Sequence, residues 1–448
     1  MTMRWAWAII ALIVFMLCAG WPAIALLTSG GAGSLPAADV DAVAGSDSPL
    51  QLWFRTIAWS AGIGLGAALL GWAPGRLLGA RLRAGRGHLM FLLLLLPVLV
   101  PGYTVFYTLW QSWPVDSTIH EWLVSVEGLG TARGLTLMVA LLAWSWPLAS
   151  FWVAPIAATW SRARSDQLAL DAAPFLERAG HVFRHDAPGL LAGALFIAAM
   201  VFSNTTSFDL AGIYTVSNEL RATSTVESGL SMTSPLAWPS ILLACACGIV
   251  LLRRVHAVPP IERGDSARAG SIAWWWCILL WCLSLPLPVL VLWLNAGPLD
   301  LGTYMTLYGD ALQQALLRSI IVGFVSVVPM LLLVRLFLDG SARVRGIGLV
   351  IAIGWLMTSF LPETILGLAT EAAWNRPGTD SLVHGSGLSL LLAQVSRGAL
   401  VPVFLAAWLV HSEPRAQRDA RLLEGGDGLL PALGAMQGRL VPVICTCV

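Results

Sequence analysis

The feature that most constrains this chain is a train of ten apolar runs, each long enough to cross a ~30 Å hydrocarbon layer as a helix of about 20 residues. They lie at residues 5–27, 52–72, 89–110, 134–160, 190–212, 238–252, 272–294, 316–338, 346–369 and 388–410. A water-soluble domain has no core large enough to take them all. Composition agrees: 57% of residues are hydrophobic and only 11% charged, with mean hydropathy +0.76. A soluble domain is about a quarter charged. The expected fold class is therefore all-α, a polytopic transmembrane helical bundle of about ten spans. The first run follows Arg4 and resembles a signal peptide, but it is long enough to span and shows no small-x-small cleavage site, so we read it as a retained helix.

Arginine placement orients the bundle. All 26 basic residues are arginine. With the N-terminus cytoplasmic, every one of them falls on inner segments except Arg55, Arg133, Arg221, Arg318, Arg376 and Arg397. The bias follows the positive-inside rule without a reversed loop. The expected location is thus a multi-pass protein of the cell inner (plasma) membrane, surrounded by membrane lipid. A formal net charge of +1 argues against a nucleic-acid partner.

The order of features repeats. LWFRTIAWSAGIGLGAALLGWAPGRLLG from Leu52 is answered by ALLRSIIVGFVSVVPMLLLVRLFLDG from Ala315, with Arg55 and Arg318 near the two helix starts. LLPVLVPGYT, with Pro101, is answered by TSFLPETI, with Pro362; LLAWSWPLAS from Leu141 by LLAQVSRGAL from Leu391. The charged inner loop at 165–189 is answered by the segment from Arg415. Equal numbers of helices before each copy make the repeats parallel rather than inverted. This divides the chain into 1–50, an N-terminal helix and outer loop; 51–270, a first repeat; and 271–448, a second, incomplete repeat.

The inner loop has its own pattern. Leu168, Ala172, Phe175, Leu176 and Ala179 recur at helical spacing, Asp166 stands where an N-cap would, and Pro174 precedes a second helical stretch. A short amphipathic element at the membrane edge suits docking of a soluble partner. The loop also resembles the EAA loop of binding-protein-dependent ABC-transporter permeases. Asp171-Ala172-Ala173 stands for its Glu-Ala-Ala, and Ala187-Pro188 for its closing Leu-Pro. In the second copy Asp419-Ala420-Arg421 is followed by Gly425 at the family spacing, with Val441-Pro442 downstream. Glu177 stands where the first copy of the motif would have glycine. Two copies in one chain are similar to the fused iron(III)- and thiamine-type permeases, here without the last two helices.

The resemblance implies a membrane subunit that moves a small solute, driven by a cytoplasmic ABC ATPase dimer and fed by a periplasmic or lipid-anchored solute-binding protein. It makes Asp171, Ala172, Ala173, Pro188, Asp419, Ala420 and Gly425 the ATPase-coupling residues. ATP would be bound by the partner, since the chain carries no GxxxxGK[ST]. No enzyme is expected. Intramembrane polar groups are costly and so mark function or packing. Ser203, Asn204, Thr205 and Asp209, with Glu363 after Pro362, form a candidate translocation path; Arg397 inside the tenth run calls for a carboxylate or carbonyl partner. The tryptophans near run ends, such as Trp110, Trp160, Trp274 and Trp276, suit interfacial anchors. His181 and His185 share a helical spacing but do not predict a metal site, and the scattered cysteines suit packing rather than metal binding. An ion-coupled secondary carrier and a non-transporting membrane scaffold are the competing classes.

Overall fold

The computed structural model describes residues 2–29, 48–112, 121, 129–160, 174–226, 237–257, 271–295, 301–376, 378–379, 387–411, 419–420 and 423. Among these, all regular structure is helical. In chain order, α1 (Thr2–Phe15) passes through a π-helical turn, Met16–Gly20, into α2 (Trp21–Ser29). Then come α3 (Pro49–Arg83), α4 (His88–Leu99), α5 (Gly102–Gln111), α6 (Leu129–Ala157), α7 (Phe175–Phe202), α8 (Thr205–Ala211), α9 (Val216–Val226) and α10 (Ala237–Ala257). The rest are α11 (Ser271–Ser284), α12 (Pro286–Asn295), α13 (Leu301–Phe337), α14 (Ala342–Phe360), α15 (Glu363–Trp374), α16 (Leu388–Gly398) and α17 (Leu400–His411).

Eight helices are long and apolar enough to cross a membrane, and two bent pairs, α4 with α5 and α16 with α17, bring the total to as many as ten. Large side chains such as Leu65, Leu69, Leu242, Ile272 and Trp275 stand exposed along these helices. In water they would make an untenable apolar surface; against lipid they are at home. The chain is a multi-pass membrane protein.

The helices gather into two compact units that do not follow chain order. One joins Met1–Pro49 and Glu219–Pro260 to Leu299–Val448; the other joins Leu50–Asn218 to Ile261–Pro298. In the first, α1 packs on α13 and α14, α2 on α15, and α10 on α14 and α17. In the second, α6 packs on α5, α4 and α7, while α11 and α12 reach α6 and α5. The core of this unit includes Leu77, Leu78, Met90, Leu94, Trp146, Ala154, Cys277 and Leu280.

Prolines decide where the helices break and what the breaks require. A residue before proline is pushed out of the helical region. Val100 (φ −83°, ψ 115°) and Leu361 (φ −66°, ψ 146°) both obey, ending α4 and α14, and α5 and α15 restart directly after Pro101 and Pro362. The α4–α5 bend is 65°. Prolines inside helices have a second effect. Each lacks the N–H that would bond the carbonyl four residues back, and in lipid that carbonyl needs another donor. Tryptophan supplies it twice in the second unit: Trp276 Nε1 donates to Leu70 O (3.1 Å), four before Pro74, and Trp281 Nε1 to Leu93 O (2.9 Å), four before Pro97. In the first unit Ser396 Oγ donates to Cys18 O (2.6 Å), four before Pro22. Trp276 thus has a bonding task that an interfacial anchor would not have.

One helix contact depends on missing side chains. On α3, Gly71, Gly75 and Gly79 face α6 so closely that a Cβ at Gly71 would meet Trp146 O at 2.5 Å, and one at Gly79 would meet Ala154 O at 2.5 Å. Ser150 Oγ uses the close approach to donate to Gly71 O at 3.0 Å. Small residues at every fourth position are how membrane helices gain van der Waals contact when lipid removes the hydrophobic drive.

The fifth apolar run behaves differently from its sequence reading. The helix begins at Phe175, not near residue 190, and runs through Pro188 to Phe202. Pro174 (φ −56°, ψ 153°) is its N-cap and Glu177 lies in its first turn, where the dipole favours an acid. From Phe175 on, the charged stretch before residue 190 is therefore helical and joined to the span.

Candidate functional site

Three polar clusters sit where the helices break or end. The first lies in the second unit, where α7 stops at Phe202 and the chain turns through α8 into α9. Ser203 caps α7 and donates to Met200 O at 2.9 Å. Asn204 caps α8: its Oδ1 accepts from Ser207 N (3.1 Å) and its Nδ2 donates to Ser207 Oγ (3.0 Å). The Asp209 carboxylate accepts from Asn218 Nδ2, and Asn218 Oδ1 accepts from both N and Oγ1 of Thr215. α3 closes the cluster. Thr56 Oγ1 accepts from Val216 N (3.0 Å), and Arg55 Nε donates to Tyr214 O (2.9 Å). Thr205 Oγ1 is buried with no partner among the described residues. The structure thus gathers Ser203, Asn204, Thr205 and Asp209, and adds Thr56, Thr215 and Asn218, which no sequence pattern joins to them.

The second cluster lies in the first unit, at the bends that follow Phe360 and Gly398. Arg397 meets the need foreseen for it with both kinds of partner. Nη1 donates to Leu361 O (2.6 Å) and Ser359 O (3.2 Å), carbonyls at the end of α14, and Nη2 to Glu363 Oε1 (3.3 Å). Ser359 Oγ donates to Ser396 O (3.0 Å), and Ser396 Oγ to Cys18 O. Glu363 is about half exposed, at 48%. α17, of 12 residues, is about 18 Å long. The cluster therefore sits about that far from the C-terminal end of α17.

The third lies at the arginine-rich end of α3. Asp186 on α7 is fully buried and serves as a hub: Arg76 Nη1 (2.7 Å) and Trp72 Nε1 (2.8 Å) both donate to Oδ2, and His185 Nδ1 lies 2.9 Å from Oδ1. His185 Nε2 lies 3.1 Å from Thr159 Oγ1, and Trp160 stacks edge-on with His185 and under Arg76. One carboxylate thereby ties the ends of α3, α6 and α7. The sequence reading passed over Asp186; the available signal was an acid among arginines beside a span, with Trp72 and Arg76 one helical turn apart to meet it.

The expected coupling residues fare unevenly. Asp171, Ala172, Ala173 and Gly425 lie outside the described residues. Asp419 and Ala420 are helical and exposed, and Pro188 is an exposed position within α7, two residues past Asp186. Glu363 belongs to a different unit from Ser203, Asn204, Thr205 and Asp209. Chemically, the first two clusters offer hydroxyls, amides and carboxylates at helix breaks, able to exchange hydrogen bonds with a polar group. Among the described residues no three His, Cys, Asp or Glu side chains gather to hold a metal ion.

No protein-family model, curated protein or solved structure matches this chain.

Proposed function

We propose that this chain is the membrane-spanning permease of an ABC importer of the binding-protein-dependent type, carrying iron(III), thiamine or a similar small solute across the inner membrane. ATP is hydrolysed by a separate cytoplasmic ATPase dimer, and a solute-binding protein delivers the cargo from outside. The N-terminus and the arginine-rich ends are cytoplasmic.

The observation that carries this reading is a correspondence of internal contacts. Trp146 and Ser396 occupy the same place in the aligned stretches LLAWSW and LLAQVS. Trp146 Nε1 donates to Ser284 Oγ (2.7 Å) at the α11–α12 break; Ser396 Oγ donates to Cys18 O at the π-helical turn between α1 and α2. In each unit, then, the position paired in the two stretches holds a helix that comes from the other half of the chain, at an irregularity beside Pro286 or Pro22. Breaks at Pro101 and Pro362 match as well. Parallel repeats with paired charged loops suit two docking sites on an ATPase dimer, whose closure would rock the helices around polar breaks.

The test is copurification of the tagged chain with the ABC ATPase encoded nearest to it, for wild type and for a variant with Asp171, Ala172 and Ala173 replaced by arginine. Loss of the ATPase from the variant at unchanged membrane level supports the docking loop. Absence of any ATPase with wild type removes the importer reading and leaves the carrier or scaffold.

A further inference from the structure

An open cleft of about 460 Å³ runs between α3 and α7, lined by Trp72, Ala73, Arg76, Arg178, Ala179 and Val182. Its depth in the bilayer follows from its surroundings. Trp72, Trp160 and Trp274 cluster at this end of the unit with Arg76, Arg81 and Arg83, and Arg81 lies 5.1 Å over the Trp274 ring. A tryptophan belt under an arginine belt is the water–lipid boundary.

The cleft is built on two levels. Its walls are indole, methyl and isopropyl groups, with Phe183 edge-on to Trp72 at 5.4 Å. Two guanidiniums stand at it. Arg76 is fixed by the buried Asp186 carboxylate through Nη1, while its side chain keeps 27% exposure; Arg178 is exposed one turn above Val182. Glu177, the neighbouring acid, is exposed and does not line the cleft. An apolar slot beside two arginines at the headgroup level fits a molecule that joins an acyl chain to an anion. We propose that this cleft binds one anionic phospholipid, the headgroup phosphate on Arg178 and Arg76 and an acyl chain along Trp72, Ala73, Ala179 and Val182. A lipid there would brace α7 at its loop end, so that leaflet charge feeds into the position of the helix that follows the coupling loop. The binding site itself does not depend on the importer reading.

The test is native mass spectrometry of the full chain released from detergent with equimolar phosphatidylglycerol and phosphatidylcholine of identical acyl chains. Wild type should retain one phosphatidylglycerol in preference to phosphatidylcholine. One arginine near a headgroup is worth about 1 kcal/mol, or about fivefold, so Arg178→Gln should lower phosphatidylglycerol occupancy by about that factor. Val182→Trp, which fills the slot, should lower retention of both lipids. Arg76 is left intact because Asp186 depends on it. Equal retention of the two lipids by wild type, or unchanged phosphatidylglycerol in both variants, would overturn the proposal. Full displacement of the lipid by inorganic phosphate would overturn it too, because the site would then be one for a free anion.

Discussion

The indole N–H of Trp281 on α11 reaches 2.9 Å to the backbone carbonyl of Leu93 on α4, the acceptor that Pro97 leaves without its helical donor. The proline and the tryptophan are one device. The proline leaves a carbonyl without its helical donor, and a second helix, distant in sequence, is fixed to it. Such a bond is worth more than its neutral counterpart in water because the alternative is an unsatisfied carbonyl in lipid.

Trp281→Phe should therefore destabilise the purified protein by about 1–3 kcal/mol, the cost of a buried polar group left alone. The check is a thermal unfolding series in detergent that includes Pro97→Ala. Alanine restores an N–H for Leu93 O, so the tryptophan substitution should cost much less in that background. Equal costs in both backgrounds would show that Trp281 acts through packing alone.

At the close contact of α3 with α6, Gly71→Ala should shift the melting temperature down, because its Cβ meets the Trp146 carbonyl at 2.5 Å and the Ser150 backbone nitrogen at 3.0 Å. Overpacking of this kind costs about 1–3 kcal/mol. Gly62→Ala, on the same helix with nothing within 4 Å, is the control and should be neutral or slightly stabilising.

Asp186→Asn should be among the most damaging single changes in the chain. It removes the anion that Arg76 meets at 2.7 Å, and breaking a buried pair from one side costs about 3–5 kcal/mol. Adding Arg76→Gln should recover part of the loss, since the orphaned charge goes with it. A double-mutant unfolding cycle reads the coupling; simple additivity would contradict the hub.

Arg397→Ala and Glu363→Gln separate the two jobs of the Arg397 side chain. The alanine strands the Ser359 and Leu361 carbonyls and should lower stability by about 1–3 kcal/mol. The glutamine touches only a half-exposed contact at 3.3 Å and should change stability by less than about 1 kcal/mol. Unfolding midpoints of the two variants make the check. A larger loss from Glu363→Gln would place the weight on the ion pair instead of the carbonyls.

Much of this architecture is written plainly in the sequence, because a hydrocarbon layer imposes length and apolarity on anything that crosses it. The runs at 134–160 and 238–252 became α6 and α10 with small shifts at their ends. The runs at 89–110 and 346–369 read as unbroken spans, whereas α4 and α14 end before Pro101 and Pro362; Arg397 announced its need for a partner. What stayed hidden was long-range. Which carbonyl Trp276 would take, that Ser284 would meet Trp146, or that Asp186 would gather Trp72, Arg76 and His185 depends on which helices pack, and no periodicity encodes that. Pro188 misled for a related reason: read locally it closes a loop, but α7 continues through it, held from outside by the Asp186 hub.

The most direct test of the central claim is ATP hydrolysis by the neighbouring ABC ATPase when it is reconstituted with this chain in liposomes. The account predicts that wild-type chain accelerates hydrolysis, that arginine at Asp171, Ala172 and Ala173 abolishes the acceleration, and that Gly62→Ala leaves it intact. An ATPase that neither associates with the wild-type chain nor changes its rate in its presence would contradict the account.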